Sequence, residues 1–149
     1  MSDNDLIKLY SQRILALAAD IPNQGRLDAP CGSARKRSPL CGSTVTVDLR
    51  LAGGRITDFA QDVKACALGQ ASASVVGANI VGRSREEVQR ARDQLAAMLK
   101  EDGPAPEAPF DGLEVLMPAR DYKNRHASIL LTLDATLDAF DEASKAACA

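Results

Sequence analysis

The chain has 149 residues, 46% of them apolar and 26% charged, with a formal net charge of −2. That length suits one domain able to bury a single core without metal or disulfide support, and the apolar content excludes a disordered chain. The near-neutral balance argues against the basic footprint of a duplex-binding protein.

In chain order, residues 4–19 place Leu6, Ile7, Tyr10, Ile14 and Leu17 at helical spacing, which predicts an amphipathic helix. The N-terminus, MSDNDLIKLY, carries two Asp before its first Lys and no uninterrupted apolar core, so it does not read as a secretory signal. Residues 21–40 lose all periodicity, and their Pro, Gly, Asn and Arg predict a long loop. Residues 44–51 then alternate, with Val45, Val47, Leu49 and Leu51 on a buried face and Thr44, Thr46, Asp48 and Arg50 on a solvated one. Gly53-Gly54 is a hairpin turn. The return strand, 55–63, aligns Ile56, Phe59 and Val63 on one face only if it contains a bulge.

Residues 65–82 form the longest uncharged run, but their Gln, Asn, Gly and Ser make it too polar to span a bilayer. Its small residues favour a helix packed closely on its neighbours. Ser84-Arg85-Glu86-Glu87 is a capping box, opening a helix with Val88, Ala91, Leu95 and Met98 as its buried stripe. A breaker-rich connector (102–109) and a short helix near 111–117 follow. The last helix, about 121–144, places His126, Ile129, Leu130, Leu133, Leu137 and Phe140 on one face. The expected fold is α+β over residues 1–149 as a single domain: a small antiparallel sheet (hairpin about 43–63) covered on one face by helices.

Cysteines stand at 31, 41, 66 and 148, without any C-x-x-C pair. In a cytoplasmic chain, the expected location, they read as metal or redox residues sooner than as disulfides. Cys148, beside the C-terminus, reads as a dispensable thiol. Cys31-Gly32-Ser33 copies the tripeptide Cys41-Gly42-Ser43 but lacks a following strand, and reads as a decoy. Cys66 falls at a helix start, where exposed N–H groups and Lys64 nearby favour a thiolate; the alternative is a small buried residue. His126, the only imidazole, is a ligand candidate or a core histidine satisfied by a backbone carbonyl. Arg35-Lys36-Arg37 reads as a solvated loop tip, with an acidic partner surface as the alternative.

Three segments, SPLCGSTVTVDL, VKACALGQASASVVG and RHASILLTLDATLDAF, resemble in order the U-type iron–sulfur cluster scaffold family, which includes IscU, SufU and the N-terminal domain of NifU. The resemblance covers residues 5–142, and the extra length at 84–118 is similar to the SufU-type branch. It implies the same α+β fold and a scaffold or carrier that holds a [2Fe–2S] cluster or iron, or zinc, through Cys41, Cys66 and His126. It also implies a cysteine desulfurase and recipient apo-proteins as partners, Cys41 as a persulfide acceptor, and no enzymatic turnover of the chain's own. Two positions depart from the family pattern. Ser43 stands where an aspartate follows Cys-Gly, and Ala127 stands where a third cysteine follows the histidine, so the expected donor set is short. A sulfur acceptor and a metal-free interaction protein remain the competing readings, and a Cys66–His126 hydrolase pair lacks an orienting motif.

Overall fold

Residues 10–145 are described in the computed structural model of the chain. Strands β1 (Gly32–Arg37), β2 (Thr44–Ala52) and β3 (Arg55–Lys64) form an antiparallel sheet with β2 in the centre. Helices α1 (Gln12–Ala19), α2 (Ala67–Asn79), α3 (Arg85–Lys100) and α4 (His126–Lys145), with 3-10 segments Asp111–Asp121 and Lys123–Arg125, complete the chain. This is the expected α+β arrangement.

The β2–β3 hairpin follows from its sequence. Val45, Val47, Leu49 and Leu51 are all buried on the helix-facing side, and Gly53 and Gly54 take positive φ of 60° and 76° to close the turn. Arg50 pairs with Asp58 but Leu51 with Ile56, so Thr57 is an extra residue in β3. That bulge brings Ile56, Phe59 and Val63 to one buried face.

Two expectations are corrected. The segment 21–40 is not one loop, because Gly32–Arg37 pairs along β2 from Gly32↔Leu49 to Arg37↔Thr44. Its sequence, GSARKR, has no apolar alternation; the strand is held by main-chain bonds and by close packing of Gly32, where a Cβ would meet Ala139 O at 2.1 Å. The basic cluster therefore lies on a strand rather than a loop tip. Asp48, expected in solvent, is fully buried. Residues 21–31 fold over it, and its carboxylate accepts from Arg26 Nε (2.6 Å), Arg26 Nη2 (3.0 Å), the Leu27 N–H (3.1 Å) and Ser33 Oγ (2.5 Å). The same segment lies parallel to the free side of β3: Gly25 N–H donates to Gln61 O (2.8 Å) and Gln61 N–H to Asn23 O (2.9 Å).

The helices cover one face of the sheet. α4 lies over β1 and β2, α2 beside it against β3, α1 on α2, and α3 on α4 and the first 3-10 segment. The start of the expected 4–19 helix lies outside the described residues. Its described part begins at the Ser11 cap, whose hydroxyl accepts from Ile14 N–H at 3.3 Å, and buries Ile14. α3 opens on the expected Ser84–Glu87 capping box, and Val88, Ala91, Leu95 and Met98 are buried. α4 buries all six residues of its expected stripe, and Ser128, Thr132 and Thr136 besides, because α2, α3 and the sheet enclose it. Fully buried side chains such as Leu49, Leu95 and Leu133 contribute about 1.5–3 kcal/mol each by removal from water. Among the described residues no helix is long and apolar enough to cross a membrane.

Candidate metal and sulfur site

The turn joining β1 to β2 is closed by two main-chain bonds, Ser38 N–H to Ser43 O (2.8 Å) and Gly42 N–H to Ser38 O (2.9 Å). Gly42 adopts φ +69°, a conformation that side chains oppose. Cys41 thus sits at the tip with its thiol folded back, 3.2 Å from both Ser38 Oγ and Ser43 Oγ.

Cys66 is the N-cap residue of α2, extended at φ −67° and ψ 170°, with no side-chain bond to the helix. Its Sγ instead lies 3.6 Å from Ser128 Oγ in the first turn of α4. Ser128 Oγ donates in turn to Ser43 Oγ at 3.1 Å. Hydroxyls therefore link the two thiols, and the amino ends of α2 and α4 meet there. Those ends carry partial positive charge, which favours thiolates and anionic cargo. The approach depends on Gly69, where a Cβ would lie 2.6 Å from Ser128 Oγ and 2.9 Å from Ala65 Cβ. Ser72 Oγ ties the same helices by donating to Ile129 O at 2.6 Å.

Burial pushes the Cys41 thiol up. Hydrogen bonds with Ser38, with the Ser43 hydroxyl and N–H, and with Ser128 outweigh it and lower the pKa from 9.0 to about 7. Near neutral pH a large share of Cys41 is thiolate, the form that attacks sulfur and ligates metal.

Cys41 and Cys66 are brought together, but His126 is not brought to them. Its ring is buried, 4% exposed, and Nε2 lies 2.9 Å from Ala119 O, as expected of a core histidine. It lines a separate cleft with Leu99, Lys100, Arg120 and Ala127. Among the described residues no three His, Cys, Asp or Glu side chains cluster closely enough to hold a metal ion.

Cys31 stands at the far end of β1, before Gly32↔Leu49, whereas the Cys41 turn follows Arg37↔Thr44. At about 3.4 Å per residue the two ends are about 17 Å apart. Cys31 is buried and disulfide-bonded, rather than the loose polar thiol its surroundings suggest. Cys148 lies outside the described residues. Sequence reasoning passed over Ser38 and Ser128. Hydroxyls flanking a cysteine in a glycine turn were a usable signal for Ser38, but nothing local marks Ser128.

Two thiols at the open end of a helix-covered antiparallel sheet define a small thiol-bearing domain suited to soft metals or sulfur. The chain belongs to the NifU-like N terminal domain family, whose model matches residues 9–126. It is similar to the crystal structure of a nitrogen-fixing NifU-like protein (N-terminal) from Brucella abortus, with 48% identity, a TM-score of 0.91 and coverage of 95% of this chain and 98% of that one. A putative iron–sulfur cluster assembly scaffold protein for the SUF system from Fervidobacterium islandicum shares the fold, at a TM-score of 0.77 and 20% identity over 90% of this chain and 98% of that one. The iron–sulfur cluster assembly scaffold protein IscU of Thermotoga maritima is 30% identical over 80 residues. That match spans 54% of this chain and 56%, a little over half, of the relative.

Proposed function

We propose that the chain is an iron–sulfur cluster assembly scaffold that holds iron or a nascent cluster as cargo between Cys41 and Cys66. The observation that carries this is the pair of thiols joined through Ser43 and Ser128 in a NifU-like domain. Two thiols fit soft cargo, since zinc sites and [2Fe–2S] clusters alike take thiolate donors and four-coordinate metal. Hydroxyls are poor ligands beside carboxylate or thiolate, so Ser43 and Ser128 orient the thiols and the remaining positions stay open to water, sulfide or a recipient protein. Such a site favours transfer over storage, with recipient apo-proteins as its outlets. The chain acts as a carrier and not as an enzyme, and a Cys–His hydrolase pair has no support, because His126 is bonded to Ala119 O.

Sulfur acceptance is a second reading, favoured by the position of Cys41 on the turn tip and by its lowered pKa. The Cys41 thiolate attacks the outer sulfur of a persulfide on a cysteine desulfurase. The donor's S–S bond breaks, its cysteine leaves as a thiolate, and Cys41 carries the new persulfide without any net oxidation.

Anaerobic loading with iron and sulfide tests the main reading in wild type, Cys41→Ser and Cys66→Ser. The wild type should retain iron and colour through gel filtration, and each variant should lose them. Equal retention in all three would sink it.

A further inference from the structure

The register places Arg37 and Lys64 on either side of Thr44, and Arg35 and Asp62 on either side of Thr46, all on the sheet face that the helices leave open. Arg35, Arg37 and Lys64 are exposed. Among the described residues none of the three makes an ion pair, whereas Lys36, on the opposite face of β1, pairs with Asp138 of α4 at 3.4 Å. Asp62 is the one carboxylate in those two rows, and the nearby Asp48 is already neutralised by Arg26. The open face is therefore positive at the end that carries the Cys41 turn, although the whole chain is slightly acidic.

At the tip of the same turn, Leu40 is 73% exposed, more than any other large apolar residue described. Arg37 reaches back over the turn, its Nη2 3.9 Å from where a Gly42 Cβ would stand. An apolar side chain projecting beside the reactive thiol, with unpaired cations behind it, has the anatomy of an anchor with a charged rim. Transfer requires the donor's sulfur to reach bonding distance of Cys41 Sγ, so any protein donor must also cover Leu40, its immediate neighbour. A nucleic acid would meet the cations but has no pocket for the leucine.

Resting on the sulfur-acceptor reading, we propose that the Cys41 turn and the open sheet face at its base form the docking surface for the protein that delivers sulfur. That donor presents an apolar pocket for Leu40, rimmed by carboxylates that meet Arg35, Arg37 and Lys64. The cations steer encounter and register, and Leu40 supplies the contact that slows dissociation.

The test measures binding of a purified cysteine desulfurase from the same organism by calorimetry at low and high salt. It uses the wild type, Arg35→Glu/Arg37→Glu, Lys64→Glu and Leu40→Asp, each checked for unchanged thermal unfolding. The wild type should bind, more weakly as salt screens the rim. The double charge reversal and Leu40→Asp should each weaken binding about tenfold or more, the equivalent of about 1.4 kcal/mol. Salt-insensitive wild-type binding, variants within about twofold of wild type, or no binding at all would overturn the surface. So would tighter binding of duplex DNA than of the desulfurase by the wild type. Labelling of wild-type Cys41 by inorganic polysulfide, which needs no docking, reports separately on the sulfur-acceptor reading. Labelled Cys41 with unaffected variants refutes the surface alone, whereas an inert Cys41 refutes the acceptor reading.

Discussion

Replacing Ser38 by Ala removes one hydroxyl from the Cys41 thiol while leaving the turn intact, because the bonds that close the turn use main-chain atoms. Ser38 is 1% exposed, so water does not readily take its place. A hydrogen bond to a charged group is worth about 1.5–3 kcal/mol when shielded, and partial exposure of Cys41 reduces this to about 1 kcal/mol. At about 1.4 kcal/mol per pKa unit, the thiol should rise by a little under one unit. Its thiolate share at pH 7 then falls from about one half to about one sixth, and alkylation slows roughly threefold. The assay is the pH dependence of iodoacetamide modification, followed at the Cys41 peptide by mass spectrometry. The wild-type midpoint should fall at about 7, and that of Ser38→Ala should move upward. Superimposable profiles would show that Ser38 does not stabilise the thiolate.

Gly69→Ala places a methyl group 2.6 Å from Ser128 Oγ, so chemical denaturation should show a loss of about 1–3 kcal/mol and metal retention should fall with it. For Asp48, burial raises the carboxyl, but hydrogen bonds from Arg26, Ser33 and the Leu27 N–H outweigh it and hold it below the usual 3.8. A lowered carboxyl contributes stability above its unfolded pKa, and that stability is lost as pH falls through the folded value. Asp48→Asn should therefore cost about 1–3 kcal/mol at neutral pH and flatten the acid end of the stability curve, which urea midpoints across pH will show. Ala127 lines the cleft of Leu99, Lys100 and Arg120 rather than the thiol pair, so Ala127→Cys should retain iron or zinc against a chelator no longer than wild type does, because an added thiolate strengthens a site only where it reaches the metal. Longer retention would mean that residue 127 reaches the thiol pair.

Elements whose cause is local were readable in advance. The Ser84 cap, the Gly53-Gly54 turn, the β2 alternation and the need for a bulge before Phe59 each rest on neighbouring residues. β1 was not readable, because GSARKR joins the sheet through main-chain pairing and contact with α4, and neither leaves a pattern in its own side chains. Asp48 sits at a solvent-facing register position and is buried only because a distant segment folds over it. In the site, Cys41 and Cys66 carried recognisable text. Ser128, which links them, lies 62 residues from Cys66 in sequence, and its hydroxyl looked like one more polar residue in a helix. His126 fell on the apolar stripe of its helix, and its ring bonds to a carbonyl seven residues earlier.

The two margins of the sheet are guarded differently. Along β3, residues 23–25 occupy main-chain groups of Gln61 that a foreign strand would need. Along β1, where no described residue pairs, the strand carries Arg35, Lys36 and Arg37 in succession. Two copies joining there would align like charges and strip them of water, an arrangement that opposes β-sheet polymerisation. Both flanks therefore oppose growth by strand addition, and the Cys41 turn, at the end of the sheet between β1 and β2, lies off the two edges along which such growth would run.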